Sequence, residues 1–128
     1  MKILVIEDDP LVLEYVGKIL TLAGYEVLRA ENGKAGLEVL AAEPGIMIVV
    51  TDLIMPEKEG IETIVDVKKM YPAIKILAIS GGGKIGPELY LKWADAFGAD
   101  AFLQKPFARN DLIKIVEKFA AEINGQTP

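Results

Sequence analysis

Short apolar runs alternate with amphipathic stretches five times along the chain. Most residues of these runs are apolar at consecutive positions, which is typical of strands covered on both faces and therefore of a parallel sheet. The strict alternation predicts an α/β fold, a doubly wound (βα)5 three-layer sandwich with right-handed crossovers. The predicted strands are Ile3 to Ile6, Tyr25 to Arg29, Ile46 to Thr51, Ile74 to Ile79 and Ala101 to Gln104.

The amphipathic stretches have the apolar period and the end signals of helices. The first helix has Asp9 as its N-cap, Pro10 at its first position and Gly24 as its terminator. The second opens at Asn32-Gly33 and stops before Pro44-Gly45. The other three are expected over about residues 58–71, 87–97 and 108–123.

The length and the composition indicate one folded domain. The 128 residues suffice for a single core, expected over residues 1–124 with a short tail at 125–128. The apolar fraction is 52% and the mean hydropathy is +0.32, yet no apolar run approaches the length of a membrane span. Without a signal peptide or any cysteine, a cytoplasmic location is expected.

The charge and the absence of histidine exclude several functions. Nineteen acidic and 14 basic residues give a formal net charge of −5, which disfavours direct binding to nucleic acid. Because the chain has no histidine, imidazole metal ligands, triad bases and phosphohistidine are excluded. Its chemistry must use carboxylates, hydroxyls and amines.

Polar residues follow four of the apolar runs, at the point where each run stops. They are the acidic group Glu7-Asp8-Asp9, then Asp52, Ser80 and Lys105. In an open parallel sheet, ligands bind outside the carboxyl ends of the strands, so these side chains can share one pocket. Taken singly, each has a plainer interpretation as a helix cap, a turn residue or a surface residue. Their joint occurrence favours a site.

The residue types at these positions indicate phosphoryl chemistry with a divalent cation. Clustered carboxylates repel each other, and a hard cation with oxygen ligands, which we expect to be Mg²⁺, relieves the repulsion. A carboxylate beside such a metal, here Asp52, can attack phosphorus and form an acyl phosphate. Lys105 and Ser80 could then neutralise and hydrogen-bond the phosphoryl oxygens.

The chain resembles the response regulator receiver domains (CheY-like) of bacterial two-component signalling. The resemblance runs from Ile3 to about Ile123, and it depends on four motifs in order. They are Glu7-Asp8-Asp9, Asp52-Leu53-Ile54-Met55-Pro56 with Gly60 beyond it, Ile79-Ser80-Gly81 and Lys105-Pro106-Phe107. It implies a flavodoxin-like sheet with strand order 2-1-3-4-5 and a stand-alone response regulator.

The resemblance also implies roles for individual residues. Asp52 would accept a phosphoryl group from a histidine kinase or a histidine phosphotransfer protein. Glu7, Asp8 and Asp52 would bind Mg²⁺ together with the backbone carbonyl of Ile54. Ser80 and Lys105 would contact the phosphoryl oxygens, and the Lys105-Pro106 bond is expected to be cis.

The expected output is a conformational switch in a signalling domain, not the turnover of an enzyme. Ser80 would move toward the phosphoryl group, and Phe102 would rotate into the vacated space. A downstream protein would read the face of the fourth helix, fifth strand and fifth helix, where Trp93 is also expected. The chain would be a monomer, or a dimer once phosphorylated.

Two alternatives and one departure accompany this interpretation. A metal-dependent phosphohydrolase would use an aspartyl phosphate on a similar fold, but it usually carries its nucleophile on the first strand and has a cap insert. A flavodoxin-like cofactor binder would need hydroxyls and aromatic residues in one phosphate-binding loop. The departure is the glycine-rich segment Ser80 to Pro87, which lengthens the loop after the fourth strand and lacks the pattern of a P-loop.

Overall fold

Five parallel strands form one sheet in the computed structural model, which describes residues 1–53, 59–80 and 96–125. The strand order is β2-β1-β3-β4-β5, and each neighbouring pair is parallel. The predicted α/β fold and the strand order 2-1-3-4-5 are therefore confirmed. The strands are β1 (Lys2–Ile6), β2 (Glu26–Ala30), β3 (Ile46–Asp52), β4 (Lys75–Ser80) and β5 (Ala101–Gln104).

Helices follow the strands as the alternating pattern predicts. The described residues contain α1 (Pro10–Leu22), α2 (Gly33–Ala42), α3 (Glu59–Met70) and α5 (Arg109–Ile123). We keep the label α4 for the predicted helix at 87–97, of which Ala96 and Phe97 are described and are helical. Its other residues lie outside the described ranges. Within those ranges, no helix is both long enough and apolar enough to cross a membrane.

Local side-chain caps explain why two helices begin where the sequence predicts. The Asp9 carboxylate accepts a hydrogen bond of 2.9 Å from the backbone N–H of Leu11. At the second helix, the Asn32 side chain accepts one of 2.8 Å from the N–H of Ala35. Each bond satisfies a donor that the first turn of a helix leaves unpaired.

The sheet separates two apolar cores, which makes the protein a three-layer sandwich. Leu4 and Ile6 of β1 pack on one face, while Ile3 and Val5 pack on the other. The first face is covered by α2 and α3, through residues such as Leu40, Ile64 and Val67. The second is covered by α1 and α5, through residues such as Val16, Leu20, Leu112, Val116 and Phe119. Burial on both faces accounts for the continuous apolar runs of the central strands.

The sheet brings the predicted site residues to one edge. Asp52 and Ser80 are the last residues of β3 and β4, and Glu7 and Lys105 directly follow β1 and β5. Backbone hydrogen bonds fix this edge, because the Lys105 N–H donates to the Ser80 carbonyl at 2.7 Å and the Leu53 N–H donates to the Ile79 carbonyl at 2.7 Å. Residues distant in sequence thus meet on a rigid frame.

Candidate functional site

An ammonium group between two buried carboxylates forms the centre of the site. The Lys105 Nζ donates to Glu7 Oε1 at 2.9 Å and to Asp52 Oδ2 at 3.1 Å. Glu7 is 3% exposed and Asp52 is 6% exposed, and the ammonium offsets part of the cost of burying two carboxylates. The ends of β1, β3 and β5 are consequently linked by charge as well as by the sheet.

A third carboxylate completes an acidic pocket. Glu7, Asp8 and Asp52 each offer an oxygen atom, and these atoms lie within 4.8 Å of one another. Asp8 is exposed, so the group opens to solvent on one side. A set of carboxylate oxygens at this spacing fits a hard divalent cation such as Mg²⁺. Asp9 is outside this group, because its side chain caps α1.

The pocket changes the protonation of its members. Burial raises the pKa of Glu7 to about 7, and hydrogen bonding with Asp8 and the charge of Asp52 add to the increase, while the bond from Lys105 opposes it. Burial by itself would lower the pKa of Lys105, but its hydrogen bonds to Glu7 and Asp52 outweigh burial and raise this pKa. Lys105 therefore remains a cation at neutral pH.

Ser80 places a hydroxyl group at the end of β4, and this hydroxyl group can still form hydrogen bonds. The residue is fully buried, and its Oγ has no hydrogen-bond partner among the described residues. A buried hydroxyl without a partner costs about 1–3 kcal/mol. The Ser80 Oγ is thus prepared to bond a group that enters the site.

Phe102 lies on β5, next to the strand that carries Ser80. It pairs in register with Ala78, while Ser80 pairs with Gln104. Because side chains alternate along a strand, Ser80, Ala78 and Phe102 lie on the same face of the sheet. Phe102 is half-buried against the core that also contains Ala78. The predicted switch pair is thus placed on adjacent strands.

Close packing fixes the start of α3 relative to the site. A Cβ atom at Gly60 would lie 2.5 Å from the Asp52 carbonyl oxygen and 2.7 Å from that of Leu53. These neighbours are backbone atoms that end β3, so a side chain at Gly60 would displace them. Close packing therefore leaves no room for a side chain at Gly60, the glycine that follows the Asp52 motif in the sequence.

Some of the predicted site residues lie outside the described ranges. They are Ile54, with its carbonyl, the glycine segment Gly81 to Gly83, and Trp93. The Lys105-Pro106 peptide bond is described, and it is cis.

An apolar groove beside Lys105 is a feature that our sequence interpretation missed. It has a volume of about 330 Å³, and it is lined by Val12, Tyr15, Lys105, Pro106 and Phe107. The rings of Tyr15 and Phe107 lie 6.3 Å apart between centroids. The available signal was Tyr15, an aromatic residue off the buried face of α1.

Comparisons with known proteins agree with this geometry. The chain is 34% identical over 119 residues to the response regulator receiver protein CpdR of Brucella abortus, covering 91% of this chain and 94% of that protein. It is 32% identical over 115 residues to the transcriptional regulatory protein GlrR of Escherichia coli, covering 90% of this chain. The chain spans about a quarter of the length of GlrR, since the match covers 25% of it.

A solved structure and a family model extend the similarity over nearly the whole chain. The CheY-like receiver domain protein of Methanospirillum hungatei superposes with a TM-score of 0.85 at 27% identity, covering 98% of each chain. The family model described as the response regulator receiver domain matches residues 3–117. The chain therefore belongs to the receiver domain family of two-component response regulators.

Proposed function

We propose that Asp52 is the phosphoacceptor of this receiver domain and that its phosphorylation by a histidine kinase or a histidine phosphotransfer protein switches the signalling state. The observation that carries this proposal is the ammonium of Lys105 held 3.1 Å from Asp52 Oδ2, close to the end of β4 where the Ser80 hydroxyl has no partner among the described residues. A nucleophile, a counter-ion and a hydrogen-bond donor thus occur at one sheet edge.

The chemistry follows from these positions. An Asp52 carboxylate oxygen attacks the phosphorus of a phosphohistidine, the P–N bond breaks, and the imidazole nitrogen keeps the electron pair and takes up a proton. The product is an acyl phosphate with additional negative charge. Lys105 neutralises a phosphoryl oxygen, and the Ser80 hydroxyl donates to another. The cost of burying an unpaired Ser80 Oγ is then removed.

Mg²⁺ is the proposed cofactor, held by Glu7, Asp8 and Asp52 with the carbonyl of Ile54. The close set of carboxylate oxygens described above supports this assignment. The metal would supply positive charge for the phosphoryl oxygens. When the metal is absent, the Lys105 ammonium partly neutralises Glu7 and Asp52. The ammonium and Mg²⁺ would therefore stabilise the same two carboxylates. The assignment of the Ile54 carbonyl as a metal ligand depends on the family resemblance alone.

The proposed output passes from Ser80 to Phe102 and on to the face formed by α4, β5 and α5. Ser80 and Phe102 share one face of adjacent strands, so a shift of the serine toward the phosphoryl group vacates space near the ring. A downstream protein would bind this face. The protein would act in the cytoplasm, as a monomer before phosphorylation and as a monomer or a dimer after it.

The exposed face of α1 is the proposed docking surface for the protein that donates the phosphoryl group. Leu11, Tyr15 and Leu22 are 81%, 49% and 69% exposed. Their spacing of four and seven residues places them on one side of the helix. Tyr15 also lines the apolar groove that Lys105 borders. A donor bound along this stripe would bring its phosphohistidine to the edge where Asp52 lies.

The first prediction concerns the phosphoacceptor. Incubation with Mg²⁺ and acetyl phosphate should add one phosphoryl group, measured by intact mass, and Asp52→Asn should abolish the addition. Chelation of the metal should also abolish it. Asp9→Asn is the matched control, because it changes a neighbouring carboxylate that only caps α1, and it should be phosphorylated like the unchanged protein. The proposal is contradicted if Asp52→Asn is phosphorylated, or if the unchanged protein is not.

The second prediction concerns pH. The pKa of Glu7 is about 7 in the folded protein against 4.5 for the ordinary side chain, so the folded state binds the proton more tightly. Its stabilising contribution is complete below pH 4.5 and is lost as the pH rises through 7. In metal-free buffer, urea unfolding should show a decrease of about 2 kcal/mol between pH 5 and pH 7.5 that is absent in Glu7→Gln.

Glu14→Gln, at an exposed position of α1, is the control and should keep the pH dependence of the unchanged protein. Added Mg²⁺ should reduce the dependence, because the cation competes with the proton for Glu7. The same pH dependence in Glu7→Gln and in the unchanged protein would show that Glu7 is not the responsible group.

The third prediction separates docking from chemistry. The donor in this test is a purified histidine kinase that phosphorylates the unchanged chain. Leu11→Glu should slow phosphotransfer from it by about tenfold, because the substitution removes an apolar contact. Phosphorylation by acetyl phosphate should be unaffected. The substitution should leave α1 folded, because glutamate is tolerated in the first turn of a helix. Val65→Glu, at a 42% exposed position on α3, is the matched control. Equal slowing by both substitutions, or slowing with acetyl phosphate, would refute the docking surface.

A further inference from the structure

A second groove lies between α2 and α3, on the sheet face opposite α1 and α5. It has a volume of about 510 Å³, and none of its lining residues is among those assigned to phosphoryl chemistry. The two helices approach closely where a Cβ atom on Gly33 would collide with the Thr63 side chain. The groove is lined by Gly33, Lys34, Leu37, Glu38, Ala41, Glu62, Thr63 and Asp66.

The apolar part of the groove is accessible. Leu37 is half-buried and packs partly against the core, while Ala41 is exposed one turn further along α2. Both residues line the groove. Leu37 and Ala41 thus form an apolar strip along the α2 side of the groove.

Unneutralised carboxylates flank this strip. Glu38 lies on α2, and Glu62 and Asp66 lie on α3, and all three are exposed. In the ranges that the structure describes, none of them takes part in an ion pair. Among the lining residues that the structure describes, Lys34 is the one cationic residue. The groove therefore combines an apolar strip with an excess of negative charge.

We propose that this groove binds a protein partner through an amphipathic helix whose apolar face is flanked by lysine or arginine residues. The apolar side chains would lie against Leu37 and Ala41, and the basic side chains would pair with the carboxylates on the rim. α2 and α3 have 10 and 12 residues, which at about 1.5 Å per residue gives walls long enough for two to three turns of a third helix.

The sign of the charge selects this occupant over other macromolecules. Nucleic acids and anionic membrane surfaces carry the same sign as the rim, so they would be repelled. A basic helix gains attraction at both edges while its apolar face leaves water. The lining residues lie on α2 and α3, and none of them belongs to β5, to α5 or to the donor surface on α1.

The test uses a synthetic amphipathic helix of about 15 residues, with leucine at positions i, i+3, i+4 and i+7 and lysine elsewhere. Titrated into the isotope-labelled protein, it should shift the amide NMR signals of α2 and α3. The double substitution Glu62→Lys with Asp66→Lys should weaken its binding by about tenfold, because each change replaces an attraction with a repulsion. Ala41→Trp should weaken binding without changing charge, because the ring fills the groove.

The control is Glu14→Lys with Glu117→Lys, which changes the net charge equally at exposed positions of α1 and α5. It should alter the affinity by less than about twofold at moderate salt. A second peptide with glutamate in place of lysine should bind much more weakly. Absence of binding, shifts confined to other elements, equal effects of the two double substitutions, or equal binding of the acidic peptide would each overturn the proposal.

Discussion

The contact between Lys105 and the buried pair Glu7 and Asp52 is the interaction on which the site depends. Two carboxylates that are almost inaccessible to water repel each other unless a cation lies between them. The ammonium supplies that charge at 2.9 and 3.1 Å. Removing it would leave a buried charge uncompensated, which is more costly than losing the attraction alone. The same contact keeps Asp52 beside the cation that its phosphorylated form would need.

The topology of the sheet makes this contact possible. With the strand order 2-1-3-4-5, β1 and β3 are neighbours, and β4 lies between β3 and β5. Lys105, at the end of the edge strand, therefore reaches across the end of β4 to Asp52 and to Glu7. Ser80 lies at the end of the strand that is crossed. The two apolar cores hold the strands rigidly, so the polar groups at their ends are preorganised.

Sequence reasoning predicted the elements well where local signals decide them. The starts of α1 and α2 follow from Asp9 and Asn32, whose side chains cap the first turn. β3 and β4 each end one residue later than predicted, because backbone pairing continues through Asp52 and Ser80 after the apolar run has ended. The site residues were predictable for a related reason, since parallel strands bring their carboxyl ends to one edge.

Other features depend on tertiary contacts that sequence does not reveal. Glu7 and Asp8 are adjacent acids, yet Glu7 is buried against Lys105 while Asp8 is exposed. Only the direction of each side chain after β1 distinguishes them. The groove between α2 and α3 likewise arises from how two helices pack on the sheet. The roles of all the site residues stay predictions, and Ile54 and the glycine segment also lie outside the described ranges.

The most direct measurement is a crystal structure of the protein with Mg²⁺ and beryllium fluoride, which imitates a phosphoryl group on a carboxylate. We expect beryllium on an oxygen of Asp52, the metal among the carboxylates of the acidic pocket, and both Lys105 Nζ and Ser80 Oγ within about 3.2 Å of fluorine atoms. An adduct on Asp8 or Asp9, or a Ser80 hydroxyl that remains without a partner in the complex, would contradict the assignment of Asp52 and Ser80.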